Sequence, residues 1–141
     1  MKRFLAVSAL LVLSAAPAMA DQRGGIAGHI VDATTHAAVA GVPVFIYRMP
    51  VRQGDAPVSA VRTDKHGGFA DITLPVGRYL VATRDGTRSQ GCDVDDVYPG
   101  NVMHVTIAVG SNRATCTGAH IRTAVVDPGL TTDMYLIGSG R

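Results

Sequence analysis

The sequence predicts an all-β sandwich, and two observations carry that expectation. Between Gly25 and Val81, short runs rich in Val, Ile, Phe, Tyr and Thr alternate with turn residues at fixed places. Composition agrees: the 141 residues contain no Glu, and beyond the first three residues Lys65 is the sole lysine. Two of the better helix formers are thus nearly missing, while Val, Thr and Gly are abundant.

The first twenty residues read as an export leader. Lys2 and Arg3 supply a positive start, Phe4 to Ala16 form an apolar run of 13, and Ala18-Met19-Ala20 offer a small-x-small cleavage site. Such a run is shorter than the roughly 20 residues that a helix needs to cross a bilayer. A mature chain starting near Asp21 is enough for one domain with a modest core, spanning 21–141. No membrane segment is expected in it.

The mature strands follow in order. Ile26 to Val31 is the first, closed by the turn Asp32-Ala33-Thr34-Thr35, whose Asp and Thr side chains can bond their own backbone. Ala40-Gly41 lead into Val42 to Arg48, where Val42, Val44 and Ile46 share a face by the period of two. Pro43 there suits a first or edge position, having no N–H to give a ladder. Met49 to Pro57 is a loop. Val58 to Thr63 is the third strand, and the turn Asp64-Lys65-His66-Gly67-Gly68 returns it as Phe69 to Leu74.

Pro75-Val76-Gly77 make a tight corner, after which Tyr79 and Val81 face one way on the fifth strand. Asp85-Gly86 is a hairpin-type turn. Thr87 to Val97 is the sixth strand, and Tyr98-Pro99-Gly100-Asn101 turn again. The seventh places Val105, Ile107 and Val109 inward with His104, Thr106 and Ala108 outward. Residues 119–137 read as an added hairpin, Ile121 to Val126 and Met134 to Ile137 around Asp127-Pro128-Gly129.

Cys92 and Cys116 are the two cysteines, and in an exported chain an even pair implies a disulfide. Without Lys2 and Arg3, eleven basic residues balance eleven acidic ones. A neutral chain with no basic run has no electrostatic grip on nucleic acid or anionic lipid.

The landmarks Gly28, Asp32, Thr35, Gly41-Val42-Pro43-Val44, Thr63-Asp64-Lys65-His66-Gly67-Gly68-Phe69 and Leu74-Pro75-Val76-Gly77-Arg78-Tyr79 span roughly half of the chain. Their order resembles the carboxypeptidase regulatory-like domain, a member of the transthyretin-like superfamily. The 119–137 hairpin lies outside the shared pattern, and the resemblance implies one Greek-key sandwich of about seven strands with Phe69 and Tyr79 in the core. It implies little about activity, because one fold hosts many functions.

A second resemblance lies within the same superfold. Gly28-His29-Ile30-Val31-Asp32, with Pro43-Val44-Phe45-Ile46-Tyr47-Arg48 downstream, looks like the opening of the hydroxyisourate hydrolases. These use His, Arg, His and a C-terminal Tyr-Arg-Gly-Ser. His29 matches the first histidine and His104 the second. Gly68 stands where the arginine belongs, and the chain ends Leu136-Ile137-Gly138-Ser139-Gly140-Arg141. On that resemblance no cation is expected where a substrate anion would be held.

Other chemistry is weakly supported. The five histidines (29, 36, 66, 104 and 120) lack the close spacing of zinc sites. His36 and His66 fall in turns, and His104 and His120 on outward strand positions. Asp93, Asp95 and Asp96 lack the glycine and final Glu of a calcium loop. There is no Gly-x-Ser-x-Gly elbow and no phosphate loop. Arg48, Arg52 and Arg62 flank one loop and read as mixed surface with Asp55 and Asp64. Phe45 and Tyr47 lie opposite the Val42-Val44-Ile46 face, covering a second buried face or forming a contact patch.

The expectation is therefore an exported, periplasmic or secreted, non-enzymatic module without cofactor, catalytic or metal residues. Its partner would be another envelope protein or a small ligand. The working surfaces would be the 49–57 loop, the 64–68 turn and the C-terminal hairpin. One alternative is a divergent hydrolase using His29 and His104. Another is a structural subunit whose sheet edge accepts a further strand.

Overall fold

A computed structural model describes residues 22–52, 54–85, 88–110 and 115–124. The leader, Gly86, Thr87 and the second half of the expected C-terminal hairpin lie outside the described residues. All regular structure within them is strand: β1 Arg23–Asp32, β2 Pro43–Arg48, β3 Ser59–Arg62, β4 Gly68–Pro75, β5 Gly77–Asp85, β6 Arg88–Val97, β7 Val102–Val109, β8 Thr115–Thr117 and β9 Ile121–Ala124. They form two sheets, ordered β4-β1-β7-β8 and β3-β2-β5-β6-β9. No helix among the described residues is long and apolar enough to cross a membrane.

Alternation builds the core. In the first sheet Ile26, Ile30, Phe69, Leu74, Met103, Val105, Ile107, Val109 and Cys116 point inward. They meet Val44, Ile46, Tyr79, Val81, Cys92, Val94 and Val97 of the second. Gly28 lies among the inward positions of β1 because no larger residue fits. A Cβ there would stand 2.1 Å from the Val105 carbonyl oxygen and 2.9 Å from the Phe69 ring. Pro43 is the first residue of β2, which lies between β3 and β5, so its missing N–H costs the ladder little.

The motif residues set the corners. Asp32 Oδ1 accepts the N–H groups of Thr34 and Thr35, both at 2.8 Å. Thr63 is buried, donating through Oγ1 to Val39 O at 2.7 Å and accepting from Val42 N at 2.9 Å. The Tyr79 hydroxyl donates back to Pro75 O across the corner at Gly77.

Two expectations are revised, and one open alternative is decided in favour of a second buried face. Cys116 lies on a strand of its own, β8, and Ile121–Ala124 pairs antiparallel with β6, so the chain crosses between the layers at residues 118–120. That segment is the fifth strand of the second sheet and no mere appendage. His120 occupies the turn before it, in the left-handed region at φ 60, and not an outward strand position. Phe45 and Tyr47 are buried at 8% and 1% exposure, with Leu80 and Ala82. Met49, Val51 and Ala124 pack against this second cluster, so it is a covered face and not an open patch. Burial raises the Tyr47 hydroxyl above its ordinary pKa.

The Cys92–Cys116 disulfide is formed, with the two Cα atoms 5.9 Å apart. It ties β6 of one layer to β8 of the other.

Candidate functional site

Strand register brings the two candidate histidines together. β1 runs parallel to β7 with Ala27 opposite His104 and His29 opposite Thr106, so the imidazoles stand on neighbouring strands, two positions apart. Both are exposed, and both line one groove of about 520 Å³. Arg62, Asp64, Phe69 and Ala70 supply further walls. A groove of this size suits a small molecule, and a few polar groups over apolar walls are what such sites use.

The 64–68 turn shapes one side. Asp64 Oδ1 accepts the N–H of His66 at 2.8 Å and of Gly68 at 2.9 Å. Those backbone donors, chiefly Gly68, hold its carboxyl below the usual aspartate range, with smaller help from His66 and His29. Gly67 takes φ 73 and lies so close to β1 that a Cβ would stand 2.6 Å from Ile30 O. Its own carbonyl accepts from Ile30 N at 2.8 Å, which docks the turn on the strand carrying His29. At Gly68 a Cβ would stand 3.2 Å from Asp64 Oδ2. A side chain at that position would press on the carboxylate that orders the turn.

Arg62 is the groove residue that sequence reasoning missed. Sequence position groups it with Arg48 and Arg52 around one loop, yet its Nη1 donates to Gly41 O at 2.9 Å and it lines the histidine groove. A cation therefore does border the place where the resemblance with Gly68 expected none. The signal was available in principle, since Arg62 directly precedes the Thr63-Asp64 pair that anchors the turn. Arg48 lies elsewhere, in a separate cleft, so the three arginines share no single site.

Of the remaining candidates, His36 and His66 sit in turns. Asp93 and Asp95 pair with Arg78 and Arg122 at 2.9–3.5 Å. Among the described residues no cluster of three His, Cys, Asp or Glu is placed to hold a metal ion. The groove residues can donate and accept hydrogen bonds and hold charge of either sign: two imidazoles, one guanidinium and one carboxylate.

Comparison with known proteins places the architecture. The 5-hydroxyisourate hydrolase of Klebsiella pneumoniae superposes with a TM-score of 0.51 at 17% identity, over 68% of this chain and 98% of that one. The fold is transthyretin-like. An (S)-allantoin synthase gives the same TM-score at 14% identity, over 70% of this chain and 44% of that one. This chain thus spans less than half of the synthase's length. At such identities the likeness concerns the fold alone. No protein-family model matches the chain, and no curated protein does.

Proposed function

We propose that the protein is an exported transthyretin-like binding module, related to carboxypeptidase regulatory-like domains, that holds a small polar ligand in the groove between His29 and His104. One observation carries the reading. Two exposed histidines far apart in sequence are brought onto adjacent strands, beside the Arg62 guanidinium and the Asp64 carboxylate, in a single groove. A leader-like start and a disulfide joining the two layers support residence outside the cytoplasm. The turn that Asp64 orders gives the groove a fixed wall, which limits the cost of organising it around a ligand.

The test is a thermal-shift panel of small polar molecules on the wild type and on a His29→Ala/His104→Ala variant. Ligands of the groove should raise the wild-type melting temperature and leave the variant unmoved. Equal stabilisation of both proteins by every hit would refute the assignment.

Hydrolysis of hydroxyisourate is the second reading, favoured by the paired histidines with Arg62 and by the named activity of the Klebsiella neighbour. Gly68, at the matching arginine position, weighs against it. Ultraviolet decay of fresh hydroxyisourate decides between them: the binding reading expects the uncatalysed rate. A faster decay that is lost in the double variant would establish the enzyme.

A further inference from the structure

A second cleft of about 440 Å³ opens at the ends of β2, β5 and β6, lined by Arg48, Met49, Pro50, Gly77, Arg78 and Asp96. The charges in this corner divide into two sets. Arg78 and Arg122 are taken up by Asp93 and Asp95, in ion pairs of 2.9–3.5 Å. Arg48 and Asp96 are left over, one of each sign, and neither makes an ion pair with a described residue. Arg48 donates one bond, from Nη2 to Val76 O at 3.2 Å. Asp96 accepts a long one, from the Tyr98 hydroxyl at 3.4 Å.

Each of the two has a local setting of its own. The guanidinium lies over Gly77, where a Cβ would be 3.6 Å from Nη2, so a longer side chain at 77 would fill the cleft. Asp96 adopts the left-handed region at φ 44, an uncommon backbone state that aspartate tolerates. Both face water, yet they line the same cleft without meeting. Met49 and Pro50 give that space an apolar wall. A guanidinium fork matches a carboxylate in shape, and a carboxylate accepts from an ammonium.

We propose that this cleft binds a zwitterionic α-amino acid with an apolar side chain. Its carboxylate pairs with Arg48, its ammonium pairs with Asp96, and its side chain rests on Met49 and Pro50. Neither charge alone defines the ligand; the pair does. The site is independent of the histidine groove.

Amide and arginine Nε–Hε resonances, followed while L-leucine is titrated, provide the test. Shifts should gather at Arg48, Gly77 and Asp96, and spare His29 and His104. Two truncated analogues, 4-methylpentanoate without the ammonium and 3-methylbutylamine without the carboxylate, should bind at least tenfold more weakly. Arg48→Gln and Asp96→Asn should each abolish the leucine shifts, while Arg48→Lys retains part of them. Asn is chosen at 96 because it tolerates the left-handed backbone, and an unchanged amide spectrum elsewhere shows that each variant folds. Absence of shifts with leucine, equal binding of either analogue, or shifts centred on the histidine groove would each overturn the proposal.

Discussion

Replacing both cysteines tests how far the covalent tie between layers stabilises the sandwich. The bridge spans a sequence separation of 24 and closes a loop that the denatured chain would otherwise leave open. On the chain-entropy account, releasing a loop of that length costs about 3.5 kcal/mol. For a domain of this size each kcal/mol moves the melting temperature by roughly 4 °C, so Cys92→Ala/Cys116→Ala should lower it by about 14 °C. Burial strengthens the expectation: Cys92 is fully buried and Cys116 is 9% exposed, so the substitution also removes two packed sulfurs from the core. Chemical denaturation followed by circular dichroism gives the second readout. The midpoint should fall while the slope rises, because an uncrosslinked denatured chain exposes more surface. A melting temperature within about 3 °C of wild type would refute the reasoning, since chain entropy alone predicts several times that.

Other perturbations probe the layers separately. Gly28→Ala should cost about 3 kcal/mol, because the added methyl runs into Val105 O and the Phe69 ring at the centre of the first sheet; an unchanged denaturation midpoint would contradict that packing. Thr83 is fully buried and donates to Pro43 O at 2.9 Å, so Thr83→Val should lose about 1 kcal/mol by the same assay. Asp32 and Asp64 are held below the ordinary value of 3.8 by backbone donors, so they bind protons less readily folded than unfolded. Their stabilisation is full above that value and drains as pH falls through the lower folded ones. Melting temperature should therefore fall below about pH 4, and Asp64→Asn should flatten the fall.

What the sequence disclosed depended on how local the cause was. Asp64 and Pro75-Val76-Gly77-Arg78-Tyr79 act within a few residues, through bonds from a side chain to a nearby backbone group, so their corners are readable, whereas Thr63 bonds Val39 and Val42 more than twenty residues away. The period of two put Val44 and Ile46 on the inner face correctly. It gave no means of telling whether Phe45 and Tyr47 on the other face are covered, because Met49, Val51 and Ala124 come from separate elements. Register between parallel strands is equally non-local. Nothing near His29 indicates that Ala27 will stand opposite His104. The pairing of Ile121–Ala124 with β6 was hidden for the same reason: a short run has no signature that names its partner.

That pairing bears on self-association. A sandwich has four flanks where backbone donors and acceptors look outward. Among the described residues, β3, β8 and β9 hold three of them with four, three and four residues. Runs so brief offer a visiting strand few bonds. The fourth flank, β4, has eight residues and carries Ile72 at 66% exposure. Among the described residues β4 is therefore the edge best able to accept a further strand, and a charged residue at position 72 is the change that should weaken such pairing.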